Sequence, residues 1–200
     1  MRLKHILAAA TAAIVAVPAS ASAAVIIVDA KANSSTNGVA KSSGLVFLTG
    51  QNLRVRSSIN DLWSAGALPR FSDGSGLTGN RNAAAGDDSG VTPGTQIGSN
   101  FGSWTQAGHS APFGALVGRY ADGTFQTFGA NFTGAATGTG ALDLFYWDSN
   151  NADNAGEIAF NIAAGIPEPA TWAMMIMGFG LVGSALRQAK GRTVTRVRFA

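Results

Sequence analysis

Gly114-Ala-Leu-Val-Gly-Arg-Tyr-Ala-Asp-Gly-Thr-Phe-Gln-Thr-Phe128 decides the fold. Bulky residues arrive in two short runs, 114–120 and 124–128, and Asp122-Gly123 stands between them, the pair most tolerant of the left-handed backbone that a tight hairpin needs. Runs of the same kind lie on either side: Leu45-Val-Phe-Leu48, Leu53-Arg-Val-Arg-Ser-Ser-Ile59, Leu142-Asp-Leu-Phe-Tyr-Trp147 and Glu157-Ile-Ala-Phe-Asn-Ile162. Short partly alternating segments separated by Gly, Asp and Asn, with no convincing helical period between 24 and 165, predict an all-β antiparallel sandwich of the jelly-roll type. The stretch 69–110 is too long for a simple hairpin connection and reads as a functional or disordered excursion.

Composition agrees with one such domain. The 200 residues are 46% apolar, enough to bury a core, and only 12% charged, with 26 glycines. Cysteine is absent, which excludes disulfides, thiolate metal sites, a cysteine nucleophile and lipid attachment at an N-terminal cysteine. The net charge of +3 belongs to the ends: Arg2 and Lys4 open the chain, and Arg187, Lys190, Arg192, Arg196 and Arg198 close it. Residues 24–165 hold seven basic against ten acidic side chains, so no basic face is available for a phosphate backbone, and nucleic acid is excluded as a partner.

Both ends read as addresses. Met1 to His5 is basic, 6–17 is an apolar run, and Ala21-Ser-Ala23 is a small-residue exit, the three parts of a secretory signal peptide with cleavage expected after Ala23. That implies the Sec translocon and signal peptidase as partners. Residues 170–186 form a second apolar segment without an ionisable side chain, followed at once by Arg187. At about 1.5 Å per residue it spans about 25 Å, at the short end for a transmembrane helix, and the basic tail 187–200 would stay cytoplasmic. Gly178, Gly180 and Gly183 suit close helix packing.

Immediately before that segment stands Ile166-Pro-Glu-Pro-Ala-Thr-Trp-Ala173. Pro-Glu-Pro-x-x-Trp-Ala, a Gly-containing apolar helix and an Arg/Lys cluster together resemble the PEP-CTERM sorting signal of Gram-negative bacteria, from Ile166 to about Arg192. The resemblance implies processing by an exosortase, with Pro167, Glu168 and Pro169 as the recognition element, Trp172 at the membrane interface, and Arg187, Lys190 and Arg192 as the flank. The two prolines fix φ and lack an N–H, which favours an extended 166–169 held off the helix. An ordinary membrane anchor with a Pro-rich stalk is the competing reading. In the tail, Gln188, Ala189, Gly191 and Thr193 interrupt the basic run.

A second resemblance covers the middle. Trp63-Ser-Ala-Gly66, Ser72-Asp-Gly-Ser-Gly-Leu-Thr-Gly79, Pro112-Phe-Gly-Ala-Leu-Val-Gly-Arg119 and Trp147-Asp-Ser-Asn-Asn-Ala-Asp-Asn-Ala-Gly-Glu-Ile158 resemble, in order, landmarks of the calcium-dependent galactophilic bacterial lectins and their galactose-binding-like relatives. The resemblance implies a calcium ion held by Asp148, Asp153, Asn154 and a main-chain carbonyl near Ala65, and glycans such as galactose or an exopolysaccharide as partners. Hard oxygen donors suit calcium. The departures are a shorter loop, Asp153 in place of an amide, and Ala155 in place of a serine. Asp148, Asn150, Asn151, Asp153 and Asn154 read equally well as a solvated turn whose side chains bond their own backbone. Trp63, Tyr146, Trp147 and Trp104 are candidates for an exposed ring beside a sugar, or for the core.

Catalysis finds no motif. His109 beside Ser110 is no dyad by adjacency, Asp87-Asp88 has no second carboxylate that can be placed across a cleft, and Walker, His-Glu-x-x-His and Gly-x-Ser-x-Gly patterns are absent. The reading is a non-enzymatic exported protein: signal peptide 1–23, β-sandwich 24–165, sorting motif 166–169, transmembrane helix 170–186 and tail 187–200. It is destined for the cell surface or an extracellular matrix. The alternatives are a purely structural surface protein and, third, a polysaccharide hydrolase.

Overall fold

The computed structural model describes residues 22–165 and the helix backbone of 169–190, with helix side chains over 174–187. The signal segment up to residue 21, Pro167, Glu168, Arg192 and the side chains of Pro169, Trp172 and Lys190 lie outside the described residues. Among the described residues fourteen strands precede one helix: β1 (Ala23–Asp29), β2 (Lys41–Phe47), β3 (Asn52–Arg56), β4 (Trp63–Ser64), β5 (Phe71–Ser72), β6 (Arg81–Asn82), β7 (Gln96–Gly98), β8 (Ser103–Gln106), β9 (His109–Pro112), β10 (Ala115–Tyr120), β11 (Phe125–Thr127), β12 (Asn131–Ala135), β13 (Gly140–Trp147), β14 (Glu157–Ala164) and α1 (Pro169–Lys190).

Eight strands make two antiparallel sheets, ordered β1-β14-β3-β12 and β11-β10-β13-β2. The pairs β1 with β14, β2 with β13, β3 with β12 and β10 with β11 are nested, as in one long hairpin. Pairing of β14 with β3 and of β10 with β13 rolls that ribbon into two layers, which is the jelly roll. Its innermost turn is the one the sequence marks. The Gly123 N–H donates to Tyr120 O at 2.9 Å with Gly123 at φ +87°, and the Asp122 carboxylate accepts the N–H groups of Thr124 (2.9 Å) and Thr139 (2.6 Å).

Alternation places the core between the layers. Leu53 and Val55 of β3 and Ile158, Phe160 and Ile162 of β14 face Leu45 and Phe47 of β2, Leu116 and Tyr120 of β10, and Leu142, Leu144 and Tyr146 of β13. Gly118 of β10 lets Phe128 and Leu142 reach the backbone. The outer face of the second sheet is also covered: the β8–β9 hairpin lays Ala111 and Trp104 over Ala115, Val117 and Trp147. The stretch 69–110 is ordered, with Leu62, Ala83 and Ile97 as a small core of their own. Short strands β4 to β7 are hidden in the sequence because Gly, Ala and Ser dominate there.

The signal cleavage expected after Ala23 falls at the first residue of β1, so the rest of that strand would survive the cut. In α1 every described side chain except Met175 is exposed, and among the described residues no helix is long and apolar enough to cross a membrane.

Candidate functional site

The loop 148–154 between β13 and β14 gathers the carboxylates and amides singled out above. It is pinned to the β1–β2 connection. Asp148 O accepts the hydroxyls of Ser35 (2.9 Å) and Thr36 (2.7 Å), its N–H donates to Ser35 Oγ (3.1 Å), and its carboxylate accepts the Ser149 N–H at 2.6 Å. Asn154 Nδ2 donates to Ala30 O at 3.1 Å, while Asn154 Oδ1 is shielded from solvent and has no hydrogen-bond partner. Asp148 is 5% exposed and Asn154 4%. Burial pushes the Asp148 carboxyl above its ordinary pKa, against the hydrogen bonds of its own loop. Part of the loop bonds itself in the manner of a solvated turn: the Ala152 N–H donates to Asn150 Oδ1 at 3.1 Å, and Asn150 Nδ2 to Asp153 Oδ1 at 3.2 Å.

Asp153 turns toward the β4–β5 turn, where a cationic side chain is already in place. Arg70 Nη1 lies 3.8 Å from Asp153 Oδ2 and donates to Ala65 O at 3.4 Å, with the guanidinium 4.4 Å above the Phe101 ring. Gly66 makes the approach possible: at φ +110°, a Cβ there would sit 2.5 Å from Asp153 Oδ2. The donor chemistry therefore fits a hard cation in one half. Asp148, Asp153 and the orphaned Asn154 Oδ1 suit calcium, whereas Ala65 O is held by a guanidinium that an ion would displace. Among the described residues no group of three or more His, Cys, Asp or Glu side chains is arranged to hold a metal.

Of the two readings of the aromatic candidates, core packing is the one seen for Trp63, Tyr146 and Trp147. Trp63 and Tyr146 are fully buried, 4.6 Å apart edge to face, with Trp63 Nε1 donating to Gly114 O at 2.9 Å. Trp147, 1% exposed, points to the opposite face of the sheet and donates to Trp104 O at 2.8 Å. The cause is strand parity: Tyr146 and Trp147 are adjacent on β13, so one fills each face, and both faces are covered.

Other titratable groups are tied into structure. His109 Nε2 is 2.9 Å from Thr127 Oγ1, the ring stacks on Phe125, and burial lowers its pKa. Asp87 caps its own loop through the N–H groups of Ala84 and Ser89. Asp88 has a neighbouring carboxylate, Asp61. Burial and then the Asp88 side chain raise the pKa of Asp61, whose Oδ2 also accepts the Ala159 N–H at 2.9 Å. No spacing connects residues 61 and 88; the Asp88 N–H donates to Asn60 O at 3.1 Å and Asp88 Oδ2 accepts the Leu62 N–H at 3.3 Å, on either side of Asp61.

The comparisons add the address. A model described as the PEP-CTERM protein-sorting motif matches residues 165–190, so the chain carries that motif at its C-terminal end. No curated protein matches the chain. Among solved structures, the EclA N-terminal domain, a PllA-like lectin, is 20% identical with a TM-score of 0.45, covering 70% of this chain and 95% of that one.

Proposed function

We propose that this is an exported bacterial surface or matrix protein, delivered through Sec and signal peptidase and then processed by an exosortase at its C-terminal sorting motif. The match over 165–190 carries the proposal. Residues 170–186 serve as the transmembrane helix, and Arg187, Lys190 and Arg192 hold its cytoplasmic end. Pro167, Glu168 and Pro169 are the element the processing enzyme recognises, and Trp172 sits at the interface. The test is expression of the full chain in a host with an exosortase and in an otherwise identical host without one. A shortened product at the surface of the first, and a full-length product in the membrane fraction of the second, is expected. Equal length and location in both hosts would overturn the reading.

The jelly roll is the passenger, and its reading is a non-catalytic module that binds glycans with calcium at Asp148, Asp153 and Asn154. The solvent-shielded, unpartnered Asn154 Oδ1 beside a buried carboxylate supports it. A purely structural sandwich is the second reading, favoured by the burial of Trp63, Tyr146 and Trp147. Glycan-array retention with calcium and with chelator separates the two: retention lost with chelator supports the first, and no retention in either buffer supports the second.

A further inference from the structure

The outer face of the second sheet carries a hollow of about 140 Å³ beneath the tip of the β8–β9 hairpin; Ser35, which also lines it, ties it to Asp148 at the start of the 148–154 loop. Phe125, Phe145 and Trp147 form its walls, and Gln106, Ala107 and Arg119 bring polar groups and backbone to its rim. Three features set it apart from ordinary packing. Gln106 Nε2 is engaged with Ser35 O at 2.9 Å, but Gln106 Oε1 is shielded from solvent and receives no hydrogen bond. The Arg119 guanidinium lies 5.1 Å above the Phe145 ring and spends one N–H on Asp143 at 3.2 Å, which leaves its other donors free of the carboxylate. Ala107 has φ +50°, a strained conformation for alanine, in a two-residue turn that Asn or Gly would make without strain.

We propose that this hollow binds one neutral sugar ring, the terminal hexopyranose of a glycan. The inference rests on the glycan-binding reading of the jelly roll and supplies it with a second site. The chemistry selects the ligand class. A cation is repelled by Arg119, and a free anion meets both Asp143 and an acceptor, Gln106 Oε1, that needs a donor. A purely apolar ligand leaves the amide oxygen and the guanidinium unanswered. A pyranose offers a C–H face to the half-buried Phe125 ring, hydroxyl hydrogens to Gln106 and hydroxyl oxygens to Arg119. The volume, less than half that of a drug-sized pocket, limits the site to one ring. Trp147 is one of the walls, and His109, stacked on Phe125 and edge-on to Trp147, supports them from behind.

The test titrates the full chain, in mild detergent, with the methyl glycosides of glucose, galactose and mannose and with methyl glucuronide, following the indole N–H resonance of Trp147 by NMR. At least one neutral glycoside is expected to shift it with a dissociation constant on the order of millimolar. Arg119→Met should weaken that binding at least tenfold with little change in melting temperature. Ala107→Asn, which suits a positive φ and crowds the rim, should weaken binding without lowering the melting temperature. Arg54→Met, exposed on β3 of the other sheet, should have no effect. A shift unchanged by both Arg119→Met and Ala107→Asn, or no shift with any neutral glycoside, overturns this site. If glycoside binding survives those variants but disappears in Asp148→Ala, the glycan reading stands without this hollow; no binding anywhere overturns both.

Discussion

Arg70 Nη1 stands 3.8 Å from Asp153 Oδ2, on the same guanidinium that donates to Ala65 O. An internal cation therefore bridges the carboxylate and the carbonyl that the lectin resemblance implies for calcium. The pair is more than a third exposed on both sides and adds little to stability by itself, so its weight lies in competition for the site. Arg70→Met, which keeps the stem and removes the charge, should tighten calcium binding by about tenfold, measured by calorimetric titration. Equal affinity in Arg70→Met and the parent would show that calcium uses neither Asp153 nor Ala65.

Asp148 gives a pH signature. Its folded-state pKa is raised by burial, so the protonated form favours the folded state, and that contribution is present at acid pH and lost as pH rises through the raised value. Calcium needs the carboxylate, so its stabilising effect should grow over the same interval. Melts with calcium and with chelator, from pH 4 to pH 8, should diverge as pH increases. Asp148→Asn should melt a few degrees higher than the parent at neutral pH without calcium, and should show no calcium effect. Parallel curves across the whole range would remove the ion from this loop.

The strands that build the two sheets were legible where bulky residues alternate: β2, β3, β10, β11, β13 and β14 each overlap a segment visible in the sequence, although β2 begins four residues before Leu45 and β3 ends three residues before Ile59. β1 was masked by the adjoining signal segment, and β12, Asn-Phe-Thr-Gly-Ala, by its small residues. The site was legible by residue type and not by contact. Nothing in the spacing of 65, 70 and 153 announces that Arg70 spans the other two, and the parity of β13 does not reveal that a separate hairpin covers its outer face. Burial of Trp147 depends on β8 and β9, which read as loop.

Gly118 tests the jelly roll itself. It lies at the centre of β10, and a Cβ there would clash with Phe128 Cε2 and fall 2.7 Å from Leu142 Cδ1. Gly118→Ala overpacks the core against Phe128 and Leu142 and should cost about 1–3 kcal/mol, read from denaturant unfolding. An unaltered midpoint would mean that these two side chains do not close over this glycine.

Tyr146 carries the last prediction, which turns on an atom rather than a ring. The ring packs on Trp63 in the core, while Tyr146 Oη is shielded from solvent and has no hydrogen-bond partner. Burial, with the Asp148 and Asp153 charges added, drives its pKa well above the usual tyrosine value, so the hydroxyl stays neutral through the accessible range. Ser72 Oγ, also shielded and unpartnered, lies 2.8 Å from the point a Gly114 Cβ would occupy, and Tyr146 Oη 3.3 Å from it, so both polar atoms border one small cradle. Removing an unsatisfied hydroxyl while keeping the ring relieves a desolvation cost without opening a large void. Tyr146→Phe should therefore raise stability by about 1 kcal/mol, measured by chemical denaturation. Tyr146→Ala removes the ring with the hydroxyl and should cost about 3–5 kcal/mol. A loss of stability in Tyr146→Phe would mean that the hydroxyl is satisfied in solution, with a bound water between Tyr146 and Ser72 as the partner the cradle has room for.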